Sequence, residues 1–233
     1  MLLVLVCLTS GGGCRVPPAS APPGPTPSAA AAASAVLDRM PVVPRPPADP
    51  SYRRAMFGRA WADTDQDGCT QRQQALWIAL DRSLPYVEGR RGRCLHDVSA
   101  GSWVDPYSGV TVTLSDVHDQ RQAEQLPVDH AVALASAFRY GARSWTEARR
   151  LSFATDLDNL VPTTRAINSA KSDHDPSTWR PRRPYECEYA IRYVTVKAKW
   201  GLPLDRGEKA ALQDMLATCP AASSASSVLP RPS

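Results

Sequence analysis

The stretch V-D-H-A-V-A-L (Val128–Leu134), followed by D-L-D-N-L-V-P (Asp156–Pro162) and I-N-S-A-K-S-D (Ile167–Asp173), decides how this chain is read. The first two segments are short apolar runs that fit strands, and the third follows Thr164, whose side chain suits a helix cap. The predicted order is a strand at 128–132, a strand at Leu160-Val161, and a helix from Thr164 to about Lys171. Asp129 and His130 are neighbours, so on a strand their side chains point to opposite faces. Both serve one site only if the strand ends or bends there. Asn159 precedes the second strand and could brace the intervening loop. Asn168 lies one turn into the helix, with Lys171 three residues on and on the same face. An Asp-His pair alone is more often a hydrogen-bonded structural pair than a catalytic one.

Working outward, Leu134–Tyr140 reads as helical, and Thr146 caps a helix over Glu147–Phe153. A hairpin is predicted over about Leu95–Leu114, turning at D-P-Y-S-G (Asp105–Gly109), where Pro, Asp and Gly supply the turn chemistry. Helices are expected over Gln71–Leu84, Glu186–Trp200 and Asp205–Thr218. The last two are joined by a short turn at Gly201-Leu202-Pro203 and rise about 1.5 Å per residue. As an antiparallel pair they would bring Cys187 and Cys219 together at the open end. Cys69 and Cys94 then bracket the Gln71 helix and pair with each other. A structural zinc site is the weaker reading of these four cysteines, because they are scattered and show no C-x-x-C spacing.

The 233 residues hold 43% hydrophobic and 21% charged side chains, with 22 Pro and only 13 Gly. Collagen-like and polytopic membrane architectures are excluded: glycine has no fixed period, and no apolar run of about 20 residues exists. The net charge of +4 is compatible with a polyanionic partner without demanding one. Residues 1–14, M-L-L-V-L-V-C-L-T-S-G-G-G-C, read as an export leader, and Gly13-Cys14 would suit lipidation of Cys14 and a membrane anchor. Residues 15–50 contain 11 of the prolines and an Ala29–Ala33 run, so a disordered tether is expected, with a similarly loose tail at 221–233. The folded unit is then 51–220, a cell-surface or extracellular domain.

The central stretch resembles the HNH endonucleases, whose catalytic unit is a ββα-metal finger. It is most similar to the secreted HNH branch related to the C-terminal domain of the GmrSD restriction enzymes. The shared motifs are F-G-x-x-W-x-D-x-D-x-x-G-C (Phe57–Cys69), D-P-Y-S-G, V-D-H-x-V-A-L, W-T-x-x-R (Trp145–Arg149), F-A-x-D-x-x-N-L (Phe153–Leu160), N-x-A-K-x-D (Asn168–Asp173) and T-W (Thr178, Trp179). The resemblance implies an α+β domain, mainly helical around a ββα finger with short hairpins and two disulfides. It implies that His130 is the general base, that Asn159 orients the catalytic loop, and that Asp129 and Asn168 hold one divalent cation, Mg²⁺ or another such as Mn²⁺. The substrate it implies is a nucleic acid, DNA ahead of RNA; no recognisable module for reading base edges stands in the sequence, so cleavage without sequence specificity is expected.

Where those relatives carry a Leu-Pro-Pro run, this chain has R-P-R-R-P (Arg180–Pro184). Arg180, Arg182 and Arg183, together with Lys171 and Arg143, are the candidate phosphate contacts. His174, inside S-D-H-D-P, reads as turn chemistry rather than a second base. D-T-D-Q-D-G (Asp63–Gly68) mimics the opening of a calcium loop, but the twelfth position is Gln74 instead of the bidentate Glu such a loop needs. The rival reading of the whole is a catalytically silent, secreted binding module on the same scaffold.

Overall fold

Strands β4 (Val128–His130) and β5 (Leu160–Pro162) pair antiparallel, with Asp129 opposite Val161 and His130 opposite Leu160. A computed structural model describes residues 24–221; the leader, Cys14 and residues 222–233 lie outside it. Two further backbone bonds, Ala131 N to Asn159 O and Thr163 N to Pro127 O, extend the ribbon at both ends. Helix α6 (Arg165–Lys171) follows at once, its first turn capped by Thr164. The predicted strand–strand–helix unit is therefore present. The pleat divides its side chains: Val128 and Leu160 pack against Trp61, Ala75 and Leu157, whereas Val161 joins the main core.

The main core lies against α7 (Glu186–Trp200), which buries Tyr189, Ala190, Tyr193, Val194 and Val196 at helical spacing. Gly201 ends it in the left-handed region at φ 68°, and α8 (Arg206–Leu216) returns antiparallel behind an Asp205–Glu208 capping box. The predicted disulfide closes the open end, with Cys187 and Cys219 Cα atoms 4.9 Å apart. Between the two helices Lys197 and Glu208 form a fully buried ion pair at 2.6 Å. Helices α4 (Leu134–Arg139) and α5 (Glu147–Ala154) occupy the connection between β4 and β5, and their Phe138 and Phe153 fill the core around Phe57.

A second layer holds β1 (Val87–Arg91), β2 (Cys94–Val104) and β3 (Thr111–Leu114), an antiparallel sheet in chain order. Helix α2 (Gln71–Ala79) packs on β2 around Leu76, Leu80, Val98 and Trp103, and a short α3 (Gln120–Ala123) leads back to β4. The Cys69–Cys94 disulfide ties the entry of α2 to the start of β2, as predicted. The α2 helix stops at Ala79, short of the predicted Leu84. Leu80 turns extended, and Asp81 closes a turn through Ser83 while its own N–H bonds Ser102.

The reading of 15–50 as a loose tether is corrected from Pro27 onward. Helix α1 (Pro27–Arg39) is capped by Thr26, buries Ala30, and sets Ala33 and Leu37 into the main core. The proline-rich segment beyond it is also fastened. Val43 N bonds Leu204 O, and Arg45 bridges Asp175 and Asp205 at 2.8 Å each. Proline content hid an Ala-rich helix whose small stripe fits closely against larger helices, and extended proline segments need few backbone partners. Leu37 is only 1% exposed, so Leu37→Ala is expected to cost about 2–5 kcal/mol. The midpoint of urea unfolding would fall accordingly; an unchanged midpoint would place α1 outside the cooperative unit.

Candidate active site

His130 ends β4 on the ribbon face that carries Val128 and Leu160. Its Nε2 lies 2.8 Å from the Ala154 carbonyl oxygen, which can only accept. Nε2 therefore carries the proton, and Nδ1 of the neutral ring is left with a free lone pair. The indole of Trp61 lies almost parallel to the imidazole, at 10° with centroids 6.4 Å apart. Burial pushes the His130 pKa down to about 4, with Arg54 and Lys171 adding to the fall and the Ala154 carbonyl opposing it. At neutral pH this ring is an uncharged base.

Asp129 points the other way. Its Oδ2 receives the Tyr107 hydroxyl at 3.0 Å and Lys171 Nζ at 2.8 Å, and Oδ1 receives the same ammonium at 3.1 Å. Lys171 Nζ also donates to the His130 carbonyl at 2.8 Å. Burial raises the Asp129 pKa, while Lys171 and Tyr107 pull it back. Lys171 is 0% exposed, so its candidate role as a phosphate contact is corrected: the ammonium is spent inside the protein.

Asn159, fully buried, bonds both backbone groups of Val132: Oδ1 accepts from the N–H at 2.8 Å and Nδ2 donates to the carbonyl at 3.1 Å. The amide replaces one more rung of ladder and fixes the chain just after His130. Asn168 is half-buried on α6, and its side chain has no hydrogen-bond partner among the described residues. For a hard cation the available donors are oxygens of the right kind. Asp129 Oδ1 keeps a lone pair beyond its bond to Lys171, and the Asn168 amide is free.

The remaining candidates are dispersed. Arg180 pairs with Asp214 at 3.2 Å and reaches Glu186 at 3.9 Å, and Arg143 pairs with Asp49 at 3.2 Å. Arg182 donates to the Pro106 carbonyl at 3.2 Å and lies over Gly109, where a Cβ would meet its guanidinium. Arg183 is exposed. The exposed His174 bonds Thr178. In the Asp63–Gly68 turn the three carboxylates come within 4.8 Å of one another, but Asp65 and Asp67 both take the Gln74 amide, at 2.9 and 2.8 Å. Donors of the protein itself thus serve those carboxylates. Trp61, Tyr107 and the Ala154 carbonyl were not singled out as site groups; only their places inside quoted motifs hinted at them.

Residues 79–215 match the family described as GmrSD restriction endonucleases, C-terminal domain. The chain belongs to this family. An uncharacterized secreted protein of Arthroderma benhamiae is 35% identical over 205 residues, covering 87% of this chain and 92% of the relative. No solved structure matches. Family membership makes this a nuclease-like domain, and the matched segment begins at the end of α2. Trp61 and the Cys69 half of the first disulfide therefore precede the matched segment.

The buried imidazole carries a pH signature. Its C–H resonances should stay constant from pH 8 to about 5 and then titrate with a midpoint near 4. The ordinary value is 6.5, so the unfolded chain binds this proton more readily. His130 therefore adds stability above about pH 6.5, and that contribution is lost as the pH falls toward 4. A midpoint at 6 or above, measured on the folded protein, would contradict the enclosure of the ring.

Proposed function

We propose that the chain is an exported, metal-dependent endonuclease that hydrolyses DNA phosphodiester bonds without sequence specificity. The observation that carries this reading is the His130 ring, with its proton held on Nε2 by Ala154 and its Nδ1 free. A water beside Nδ1 would lose its proton to a neutral imidazole, a contribution of about 10²–10⁴-fold. Asn159 holds the backbone beyond His130, so that the ring's strand cannot drift from α5, which supplies the carbonyl. Asp129 and Asn168 would hold the divalent cation, Mg²⁺ or Mn²⁺, which supplies charge stabilisation at the phosphate and the leaving oxygen. Lys171 shares Asp129 and lowers the charge this site offers a cation, so binding of the metal without substrate should be weak.

Phosphate contacts fall to the exposed arginines. Arg183 has no partner among the described residues, and Arg143 is 69% exposed in its pair with Asp49. Ion pairs this exposed contribute roughly 0–1 kcal/mol, so a phosphate can take the place of the carboxylate. Such contacts read the backbone rather than the bases and make binding steeply salt-dependent. Two disulfides support an oxidising destination outside the cytosol, in line with the description of the fungal relative as secreted. We include Cys14 lipidation in the proposal; mass spectrometry of the mature N-terminus for an acyl chain tests it.

The second reading, a silent binding module, draws on the engagement of Asp129 by Lys171. Plasmid nicking separates the two. Cleavage is expected with Mg²⁺ or Mn²⁺ and not with EDTA, and His130→Ala should lose at least ~10²-fold while its melting profile persists. Equal nicking by the variant would remove His130 from the chemistry. Binding of DNA without any cleavage by the wild type would favour the silent module.

A further inference from the structure

Trp61 lies outside the strand–strand–helix unit, yet its indole runs nearly parallel to the imidazole that this unit presents, with centroids 6.4 Å apart. We propose that Trp61 is a positioning residue for His130, acting as a rigid wall that fixes the ring plane while Ala154 fixes the ring edge. The proposal rests on the nuclease reading above and deepens it.

A single hydrogen bond from Nε2 leaves an imidazole free to swing about that bond. A nearly parallel indole packed alongside limits this freedom on that side of the ring. The wall is itself well anchored. Its indole packs against the cluster formed by Ala75 of α2 and by Val128 and Leu160 of the two strands. Any shift of Trp61 would thus have to move the ribbon it orients against.

The backbone is built for that placement. Trp61 has φ 55°, a left-handed conformation that bulky residues rarely adopt and that costs on the order of 1–3 kcal/mol. Constraints on either side hold it there. Upstream, Phe57 is buried among Phe138 and Phe153, and Gly58 at φ 79° passes so close to Leu151 that a Cβ would come within 2.9 Å. Downstream, Asp63 accepts the Gly68 N–H at 3.0 Å, and the Cys69–Cys94 disulfide follows. The otherwise unused Asp-rich turn and the first disulfide thereby acquire a purpose: they hold the segment that carries the indole over the base.

The test compares Trp61→Leu and Trp61→Phe with the wild type, all checked for an intact melt. Trp61→Leu should lower kcat for nicking by about 10²-fold, the loss that a misplacement of roughly 1 Å can produce, with KM within about two-fold. Trp61→Phe should recover most of the rate by restoring a flat wall. In parallel, the His130 imidazole C–H signals should shift in Trp61→Leu as the neighbouring indole ring current disappears. Wild-type kcat in Trp61→Leu, a loss carried by KM, or no rescue by Phe would overturn the positioning role. Unmoved His130 signals would refute the stack itself, whatever the activity. Should Trp61→Leu fail to fold, the phenylalanine variant decides: a rate as low as that of His130→Ala would overturn the proposal. His130 signals that move on Trp61→Leu, in a protein whose wild type never cleaves, would refute the nuclease reading and not the Trp61–His130 contact.

Discussion

The ion pair between Asp129 and Lys171 is the constraint around which the strand–strand–helix half of the domain is arranged. It joins three distant parts of the chain: β4 through Asp129, α6 through Lys171 and the β2–β3 turn through the Tyr107 hydroxyl. Burying such charges costs several kcal/mol per ion, offset only when geometry and hydrogen bonds are good. Here the ammonium finds both carboxylate oxygens and the His130 carbonyl. Helix α6 is consequently held across the end of the strand where His130 sits, and Asn168 is carried along one turn away. Asp105 reinforces the same junction by accepting the backbone N–H and the hydroxyl of Thr164, each at 3.0 Å.

The two-stranded ribbon keeps opposite chemistries apart. On one face the charged pair takes the hydroxyl of Tyr107, which packs edge-on against Tyr189; on the other a neutral imidazole bonds the Ala154 carbonyl and lies parallel to Trp61. Side-chain alternation along β4 makes this separation unavoidable for adjacent residues. It also explains the unequal electrostatics. Lys171 meets Asp129 directly but reaches His130 only through its carbonyl, so the imidazole feels the positive charge without gaining a counter-ion. The lowered pKa keeps the ring unprotonated at neutral pH while weakening its pull on a proton.

The rest of the molecule serves as a clamp. The buried Lys197–Glu208 pair fastens α7 to α8, with Tyr193 donating to the same carboxylate at 2.7 Å. Arg45 reaches across to Asp175 and Asp205, binding the N-terminal segment to the region just after α6. The two disulfides close the helical layer and the sheet layer separately. A domain held in this way does not depend on a large core alone, which fits a chain with only 3 Phe.

Local chemistry determined much of this from sequence: caps at Thr146 and Thr164, the Gly201 stop, the Asp105–Gly109 turn and the pairing of four cysteines all act over a few residues or follow from helix length. The adjacency of Asp129 and His130 already implied opposite faces. Burial and partnership at long range were decided only by the tertiary structure. Lys171 reads as a candidate phosphate contact because nothing local reveals that Asp129 lies 2.8 Å away. The Ala-rich stretch after Pro27 looked too weak to order, since a stripe of small residues gains its stability from the helices it meets. Trp61 escaped notice for the same reason. Its contact with His130 spans 69 positions (130 − 61) and exists only because strands, disulfide and turn meet in space, where apolar contact and hydrogen-bond geometry act and sequence distance does not.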